Sequence, residues 1–279
     1  MLNKDGKDIE YLYLDSNMDL IENASIVESA NRHPWELARY DIIKKNVNKI
    51  SRNPEANFQV VDIGCGDAYV ISRLHTELSL SRAIGVDINF SEEHLLKLDG
   101  NVVGIDFYRD FHEIQVSEDG EYLILLNDVL EHIEDDLSFF TSVVNHFKLA
   151  KSLIFYVTVP AFQFVFSQHD IDLLHYRRYT LKRLGTLAMK NNLEISDRGY
   201  FFFGLLTIRT GQFLLEKLKS KSNSNESSIG VNHWNRGKMI TGLVTSILYL
   251  DYLTLRCFSI VGVHIPGLSA WSIFKYRKQ

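Results

Sequence analysis

Short apolar runs rich in β-branched residues alternate with amphipathic stretches along most of the chain. The runs have the length of buried strands, and the stretches between them have helical spacing. The predicted strands lie at 58–63, 83–87, 102–105, 122–126 and 152–158. Because strands and helices alternate, the pattern predicts an α/β fold with a doubly wound, parallel sheet and right-handed crossovers.

The flanking sequence extends this pattern at both ends. A helix is expected over about 23–51. After the fifth strand, a segment at 161–179 that is rich in functional side chains leads into a helix with Thr180 as its N-cap. A sixth strand is expected at 194–208, and the last strand is Ser269–Tyr276.

These elements divide the chain into four parts. The parts are an N-terminal arm and helix at 1–57, a core at 58–204, a helical insertion or cap at 205–266, and a final core strand at 267–279. The insertion includes a polar, low-complexity segment at Lys219–Ser228, which has the composition of a linker.

The apolar stretch Met239–Val263 is nearly long enough to span a bilayer. Asp251 and Arg256 interrupt it, and a charge at mid-membrane costs roughly 2.5–3.5 kcal/mol, so a span is disfavoured. Two other interpretations stay open. The stretch forms a helical cap packed on the domain or on a second subunit, or it lies at a membrane surface, which nearby Trp234 and Trp271 favour.

Composition narrows the class of protein. Of the 279 residues, 46% are hydrophobic and 23% are charged, as in ordinary soluble globular proteins. The net charge of −5 disfavours nucleic acid as a partner. Cys65 and Cys257 cannot build a disulfide framework, and the polar N-terminus has no signal-peptide core, so we expect a cytoplasmic protein.

The run Val60–Ala68 ends a predicted strand and breaks into a glycine turn before a helix. Gly64 and Gly66 lack a Cβ, so the backbone can turn sharply and approach a ligand closely. About 20 residues later the next strand ends in Asp87, whose carboxylate can accept hydrogen bonds from ribose hydroxyls. This βαβ unit predicts a cofactor that contains adenosine.

Two residues of the turn narrow the choice of cofactor. Tyr69 stands where the dinucleotide fingerprint has its third glycine, which disfavours NAD and FAD. Asp67 would repel phosphates, and the turn has no lysine, which disfavours a P-loop. S-adenosylmethionine, which is positively charged and has no phosphate, suits this acidic turn better.

The motifs together resemble those of the class I S-adenosylmethionine-dependent methyltransferases. The Asp62–Ala68 segment, Asp-x-Gly-x-Gly-x-Ala, is similar to their first motif, and Asp87 matches their ribose-binding acid. Asn127–Asp136 is similar to a DVLEH segment of the branch that includes quinone-biosynthesis methyltransferases. His33-x-Trp35-x-x-x-Arg39 resembles a lead-in of that branch, whose helix often lies across the cofactor pocket as a lid; the alternative is a helix that packs on the sheet.

The resemblance implies a Rossmann-like, seven-stranded sheet whose last strand is antiparallel, with the helical insertion before that strand. It implies S-adenosylmethionine as the cofactor. Asp106 and Phe107 are expected just after the third strand, where the family often contacts adenine. The implied cofactor-binding residues are Asp62, Gly64, Gly66, Asp87, Ile88, Asp106, Phe107 and Asn127.

Three histidines are candidates for catalysis, because imidazole is the usual base near neutral pH. His132 follows the fourth strand, at the sheet edge where ligands bind in open α/β folds, or bonds locally at a helix start. His169 and His175 lie in a segment that resembles an HD-x4-HYRRYT stretch of a subset of these methyltransferases. The ligand spacing in this segment, which includes Asp170 and Asp172, is poorer than His-x-x-x-His, so no metal is expected.

The same segment carries the candidate acceptor-binding residues Tyr176, Arg177 and Arg178. Guanidinium groups suit a carboxylate or a phosphate on the acceptor. The alternative is a structural network in which the two arginines pair with Asp170 and Asp172 and fix the segment.

The sequence therefore predicts a methyltransferase (EC 2.1.1.-) that acts on a small-molecule acceptor in biosynthesis. O-methylation is preferred, because a histidine-rich segment can deprotonate a hydroxyl or stabilise a carboxylate. A homodimer and peripheral membrane contact through 239–263 stay open as partners. The alternatives are an enzyme for a lipid or lipid-linked acceptor at the membrane surface, and a non-catalytic cofactor-binding module.

Overall fold

A computed structural model describes residues 32–51, 58–93, 95, 98, 104–219, 234 and 236–277. The predictions for the arm and the start of the first helix, before residue 32, and for the linker after Lys219 concern residues outside these ranges. Within the described residues, the chain forms one seven-stranded sheet with helices packed against it.

The sheet has the order β3-β2-β1-β4-β5-β7-β6. Pairing is parallel from β3 to β5, and β7 is antiparallel to both of its neighbours. The predicted Rossmann-like sheet with an antiparallel last strand is therefore confirmed. The strands are β1 (Phe58–Ile63), β2 (Arg82–Val86), β3 (Ile105–Tyr108), β4 (Glu121–Asn127), β5 (Ser152–Pro160), β6 (Leu193–Phe201) and β7 (Ser269–Tyr276).

Helices connect and cover the strands, and α6 and α7 form the insertion before β7. Thr180 caps α5 as predicted, since its hydroxyl accepts a hydrogen bond from the backbone N–H of Arg183 at 3.2 Å. The helices are α1 (Pro34–Ser51), α2 (Tyr69–Leu78), α3 (Asp136–Phe147), α4 (Gln168–Asp172), α5 (Leu181–Lys190), α6 (Phe203–Lys219) and α7 (Gly237–Ile260).

The central strand β4 shows why its run of apolar residues is unbroken. Tyr122, Ile124 and Leu126 pack into one apolar cluster, and Leu123 and Leu125 pack into another. Successive side chains of a strand point to opposite faces, so both faces of the sheet are covered. A strand buried on both faces has no polar alternation.

The third strand lies later in the chain than predicted. It is Ile105–Tyr108 rather than 102–105, and it follows Gly104, whose φ of +85° places it in a turn. The parallel register with β2, in which Ala83 pairs with Ile105, fixes the strand at this position. Asp106 and Phe107 therefore lie within the strand, and their predicted position after it is wrong.

The sixth strand is shorter than predicted, and the insertion starts earlier than residue 205. β6 ends at Phe201, because Phe202 has a φ of +67° and cannot continue an extended strand. α6 begins at Phe203, and its first N–H groups, from Phe203 and Gly204, donate to the Asp251 carboxylate at 2.9 and 3.1 Å. The apolar sequence of 200–208 does not indicate this boundary, because the residue that caps α6 lies in α7, far along the chain.

α7 covers most of the apolar stretch Met239–Val263 and packs on α1 and β6. By length and composition it is long enough to cross a membrane, and 22% of its most apolar window is buried. Both charges that interrupt the stretch have partners within the fold. Asp251 caps α6, and Arg256 forms an ion pair with Asp197 of β6.

The cap from α7 predicts a measurable contribution to stability. Asp251→Ala removes the acceptor of two N–H groups in the first turn of α6. We expect the free energy of unfolding to fall by about 1 kcal/mol in urea denaturation. Glu194→Ala, which removes an exposed ion pair with Arg277, is the control and should leave the free energy of unfolding nearly unchanged. Equal effects of the two variants would contradict the capping role.

Candidate active site

The glycine turn is tied to the end of β2 at the carboxyl edge of the sheet. The backbone N–H groups of Gly64 and Cys65 donate to the carbonyl oxygen of Val86, at 2.8 and 3.1 Å. The N–H of Gly66 donates to the Asp87 carboxylate at 2.9 Å. The first two sequence motifs therefore form one structural unit.

The geometry excludes a side chain at position 64 and favours a glycine at position 66. Gly64 has a φ of +77°, and a Cβ there would lie 2.6 Å from Cγ2 of Val129. Gly66 has a φ of +54°, and no described atom lies within 4 Å of the place that its Cβ would take. Open space beside the Gly66 backbone is what a ligand needs in order to approach the turn closely. The turn thus fits an adenosine-containing cofactor.

Asp87 is held in one orientation beside the turn. Its second oxygen accepts a hydrogen bond from the backbone N–H of Asn89 at 2.9 Å, and the residue is buried. Ile88, which follows it, is 40% exposed. The structure therefore puts a fixed carboxylate and an exposed apolar side chain at the position that the resemblance assigns to the ribose.

Asp62 lies at the end of β1 and is almost fully buried. The side-chain amide of Asn127 donates to its Oδ1 at 3.3 Å. Burial raises the pKa of Asp62 to about 7, the Asn127 hydrogen bond opposes this rise, and the charge of Asp87 adds to it. Within the described residues, the side chain of Asp62 thus bonds to that of Asn127, and both are predicted cofactor-binding residues.

The lead-in to α1 bridges the glycine turn and the segment after β4. Arg32 forms an ion pair with Asp67, and its guanidinium lies 3.7 Å from the centre of the Tyr69 ring. Arg39 forms an ion pair with Asp128. Asp67 therefore has a cation as its partner within the protein.

His132 and His175 are brought together by the fold, with their ring centres 4.7 Å apart. Nδ1 of His175 lies 3.1 Å from Oδ1 of the buried Asp170, and the backbone of Leu173 hydrogen-bonds the His132 ring. Burial lowers the pKa of His132 to about 4, with a smaller contribution from His175. His132 is therefore a neutral imidazole near neutral pH.

Glu131 is the residue of this site that the sequence analysis overlooked. Its side chain is fully buried, and neither carboxylate oxygen accepts a hydrogen bond from another described residue. Burial raises its pKa to about 8, against the opposing effects of its own backbone N–H, Arg39 and Arg178. Together with His132 and His175 it offers three ligand atoms within 4.8 Å of one another. A carboxylate directly before a candidate histidine was the available signal.

His169 lies apart from this group, in α4. It is half-buried, and burial lowers its pKa, with opposing and reinforcing contributions from Asp170 and His175. The structure therefore brings His132 and His175 together, whereas His169 lies outside their group.

The predicted acceptor-binding arginines already bind groups of the protein. Arg178 pairs with Asp170 at 2.7 Å, which is the structural network considered above. Arg177 pairs with Asp136 at 3.2 Å rather than with Asp170 or Asp172, and it also donates to two backbone carbonyls. Tyr176 is exposed.

The side chains of Asp106 and Phe107 both have partners within the protein. Asp106 pairs with Arg82, the first residue of β2, at 2.8 Å. The Phe107 ring packs edge-to-face on Phe90 at 5.9 Å. Their contact with adenine stays a prediction.

The raised pKa of Asp62 predicts a pH dependence of stability. Because its ordinary value is 3.8 and its folded value is about 7, the folded protein holds the proton more tightly, and ionisation destabilises the fold as pH rises across that window. Asp62→Asn should gain stability relative to the native protein by at least about 1 kcal/mol between about pH 5 and about pH 8, in urea denaturation. The exposed variant Asp106→Asn is the control. A difference that does not change with pH would refute this assignment.

Comparison with known proteins identifies the family. The sequence profile of a family described as "Methyltransferase domain" matches residues 35–195. No curated protein matches the chain. A protein from Galdieria sulphuraria assigned as a sarcosine dimethylglycine methyltransferase is 14% identical and has a TM-score of 0.51, covering 86% of this chain and 85% of that one.

Two further solved structures are among those similar to this chain. A SAM-dependent methyltransferase from Archaeoglobus fulgidus is 14% identical, with a TM-score of 0.47 over 85% of this chain and 94% of that one. An S-adenosylmethionine-dependent methyltransferase from Mesorhizobium loti is 13% identical, with a TM-score of 0.48 over 85% of this chain and 99% of that one. Since the family match covers more than half of the sequence, the chain belongs to the class I S-adenosylmethionine-dependent methyltransferases.

Proposed function

We propose that the protein transfers the methyl group of S-adenosylmethionine to an oxygen atom of a small-molecule acceptor. When bound, S-adenosylmethionine supplies a methyl group on a positively charged sulfur. Asp87 would accept hydrogen bonds from its ribose, and the turn at Gly64 and Gly66 would let it approach the backbone. Asp62 supplies a carboxylate that a cation would ionise fully.

The observation that favours oxygen as the acceptor atom is the group formed by Glu131, His132 and His175. In the transfer, the bond from carbon to sulfur breaks, the bond from carbon to oxygen forms, and the hydroxyl proton must leave. A neutral imidazole can take such a proton, and His175, whose Nδ1 bonds the buried Asp170 carboxylate, is the candidate group. A neutral amine attacks without losing a proton first, so it has less need of such a group.

The segment 161–179 would hold this group in place and cover the acceptor. Arg178 and Asp170 fix the position of His175, and the backbone N–H of Tyr176 donates to the Glu131 carbonyl at 2.8 Å. The two arginines would therefore act on the acceptor mainly by fixing the segment. Tyr176, which is exposed, is the predicted acceptor-binding residue whose ring is available to a ligand.

The type of methyl group formed tests the proposal. The full chain is incubated with methyl-¹³C-labelled S-adenosylmethionine and pooled small metabolites, and the products are observed by ¹³C–¹H NMR. We expect the label in methyl groups bonded to oxygen. His175→Asn should slow their formation by at least ~100-fold, as expected for the loss of a group that assists proton transfer. Its affinity for S-adenosylhomocysteine, measured by calorimetry, should be unchanged.

His112→Asn is the matched control, because His112 is an exposed histidine on another part of the surface. It should leave both the rate and the affinity unchanged. Label found on nitrogen, sulfur or carbon would refute O-methylation. Failure of the native protein to bind S-adenosylhomocysteine would refute the function as a whole.

A second candidate function is methylation of a lipid or lipid-linked acceptor at a membrane surface. The outward face of α7 favours it. Met239, Leu243, Ile247 and Leu250 follow one another at helical spacing and are 86%, 61%, 56% and 59% exposed. Asp251 and Arg256 bind groups of the fold, so this face carries an apolar stripe without their charges. An amphipathic helix of this kind lies in a membrane interface.

Exposed cations stand at the start of the same helix. Arg236 and Lys238 flank Gly237, and the Arg236 guanidinium lies 6.0 Å from the centre of the Trp234 ring. An indole and cations next to an apolar stripe suit the headgroup region of an anionic membrane. In this form of the proposal the protein is a cytoplasmic enzyme that binds the membrane reversibly.

Co-sedimentation with vesicles of phosphatidylcholine and phosphatidylserine tests this second candidate. We expect the native protein to sediment with the vesicles, and the double variant Leu243→Glu, Leu250→Glu to remain in solution, because both charges would enter the apolar layer. Met189→Glu, a change at an equally exposed residue of α5, is the control and should sediment like the native protein.

Native protein that does not bind the vesicles would contradict the membrane function. The same applies if the native protein is a dimer that the double variant dissociates, because a second copy would then cover the stripe.

A further inference from the structure

Glu131, His132 and His175 bring three potential ligand atoms within 4.8 Å of one another. We propose that they form a binding site for a divalent transition-metal ion, with zinc as the best fit. No ligand pattern in the sequence indicated this set, because His175 is more than forty positions away from its partners along the chain.

The strongest support is the state of the Glu131 carboxylate. It is fully buried, and neither of its oxygens has a hydrogen-bond partner among the described residues. A buried polar group without a partner is costly, and a buried charge is normally paired or bound to a metal. A cation between Glu131 and the two imidazoles would bind one ligand atom of each residue and give the Glu131 carboxylate a partner.

The nearby cations do not take this role. Arg39 and Arg178 both act on Glu131 through their charge, but each has its own aspartate. Arg39 forms its ion pair with Asp128, and Arg178 forms its pair with Asp170. Neither guanidinium donates a hydrogen bond to the Glu131 oxygens, so these oxygens are still available to a bound cation.

The two histidines are oriented as metal ligands usually are. In metal sites, the ring nitrogen that does not bind the metal commonly bonds a carboxylate or a backbone carbonyl, which fixes the tautomer and the ring. Nδ1 of His175 bonds the Asp170 carboxylate at 3.1 Å, which leaves its Nε2 for a metal. The backbone of Leu173 bonds the ring of His132. Asp170 is in turn fixed by Arg178 and by the Ser167 N–H.

The donor set determines the class of metal. Two imidazoles and one carboxylate form the ligand set of catalytic zinc sites that keep an open position, and they also suit other first-row divalent ions. Magnesium and calcium prefer oxygen ligands and are disfavoured. A three-ligand site leaves a position for a water molecule or an oxygen of the acceptor.

The location relates this site to the methyl donor. Val129, two residues before Glu131, occupies the space where a Gly64 Cβ would lie, so the chain that leads into the group contacts the glycine turn. A bound metal ion there would replace the His175 imidazole in the proposed removal of the proton, because it would lower the pKa of an acceptor hydroxyl and let the proton leave to water. This role rests on the proposed O-methylation, whereas the binding of the metal does not.

Metal binding by the full chain is measured without any activity assay. The protein is stripped with a chelator, dialysed and titrated with Zn²⁺ by calorimetry, and with Co²⁺ by visible absorption. We expect one ion per chain, and a Co²⁺ spectrum with imidazole and carboxylate ligands at a low coordination number. Glu131→Gln and His175→Ala should each weaken Zn²⁺ binding by at least ~100-fold, more than loss of an outer partner usually does.

His112→Ala controls for adventitious binding, because the exposed His112 and the partly buried His146 form a pair with ring centres 5.5 Å apart. It should bind Zn²⁺ like the native protein. Circular dichroism checks that each variant is folded. If a variant is not, X-ray absorption of the zinc-loaded native protein decides, since it should show two imidazole ligands and one carboxylate ligand.

The proposal is overturned if the native protein binds neither ion, if Glu131→Gln binds as tightly as the native chain, or if His112→Ala abolishes binding. Calorimetry with S-adenosylhomocysteine on the same metal-free protein separates the two hypotheses. Cofactor binding without metal binding refutes the metal site alone, and metal binding without cofactor binding refutes the proposed function alone.

Discussion

The parallel pairing of β1 with β4 is the constraint on which the site depends. Asp62 is in register with Leu125, so the segments that follow the two strands leave the sheet side by side. Val129 then fills the space that a side chain at position 64 would need, which makes glycine obligatory there. Because of this contact, the cofactor turn and the chain that leads into Glu131 are held together.

A single buried carboxylate organises the other wall of this unit. Asp170 is fully buried and accepts hydrogen bonds from Ser167 and Arg178, and it bonds the ring of His175. These partners hold its pKa well below the usual range, against the effect of burial. The arginine-rich stretch after β5 is therefore a support for His175. The contacts of its basic residues show how the segment is fixed and do not indicate which chemical group the acceptor carries.

Local patterns predicted the strands, the glycine turn and Asp87, because each depends on residues close in sequence. The features that the sequence did not predict depend on contacts between residues that are distant in the chain. The cap on α6 comes from Asp251, and the turn at Phe202 is visible only as a positive φ, so the sixth strand was predicted too long. The sequence did not point to Glu131, because the lack of a hydrogen-bond partner for its carboxylate depends on how the segment 161–179 folds against it. The β-branched residues at 102–103 suggested a strand that the register with β2 places later.

The choice of a cationic donor has a different basis from the one that the sequence offered. Asp67 in the turn suggested an acidic surface, but Arg32 neutralises it. Asp62 and Asp87 remain. They lie close enough to each other for the charge of Asp87 to raise the pKa of Asp62. A cation near both relieves this repulsion, whereas a phosphate would increase it. The carboxylates that suit a cationic donor therefore lie at the buried end of β1 and just after β2, rather than in the loop whose composition first suggested such a donor.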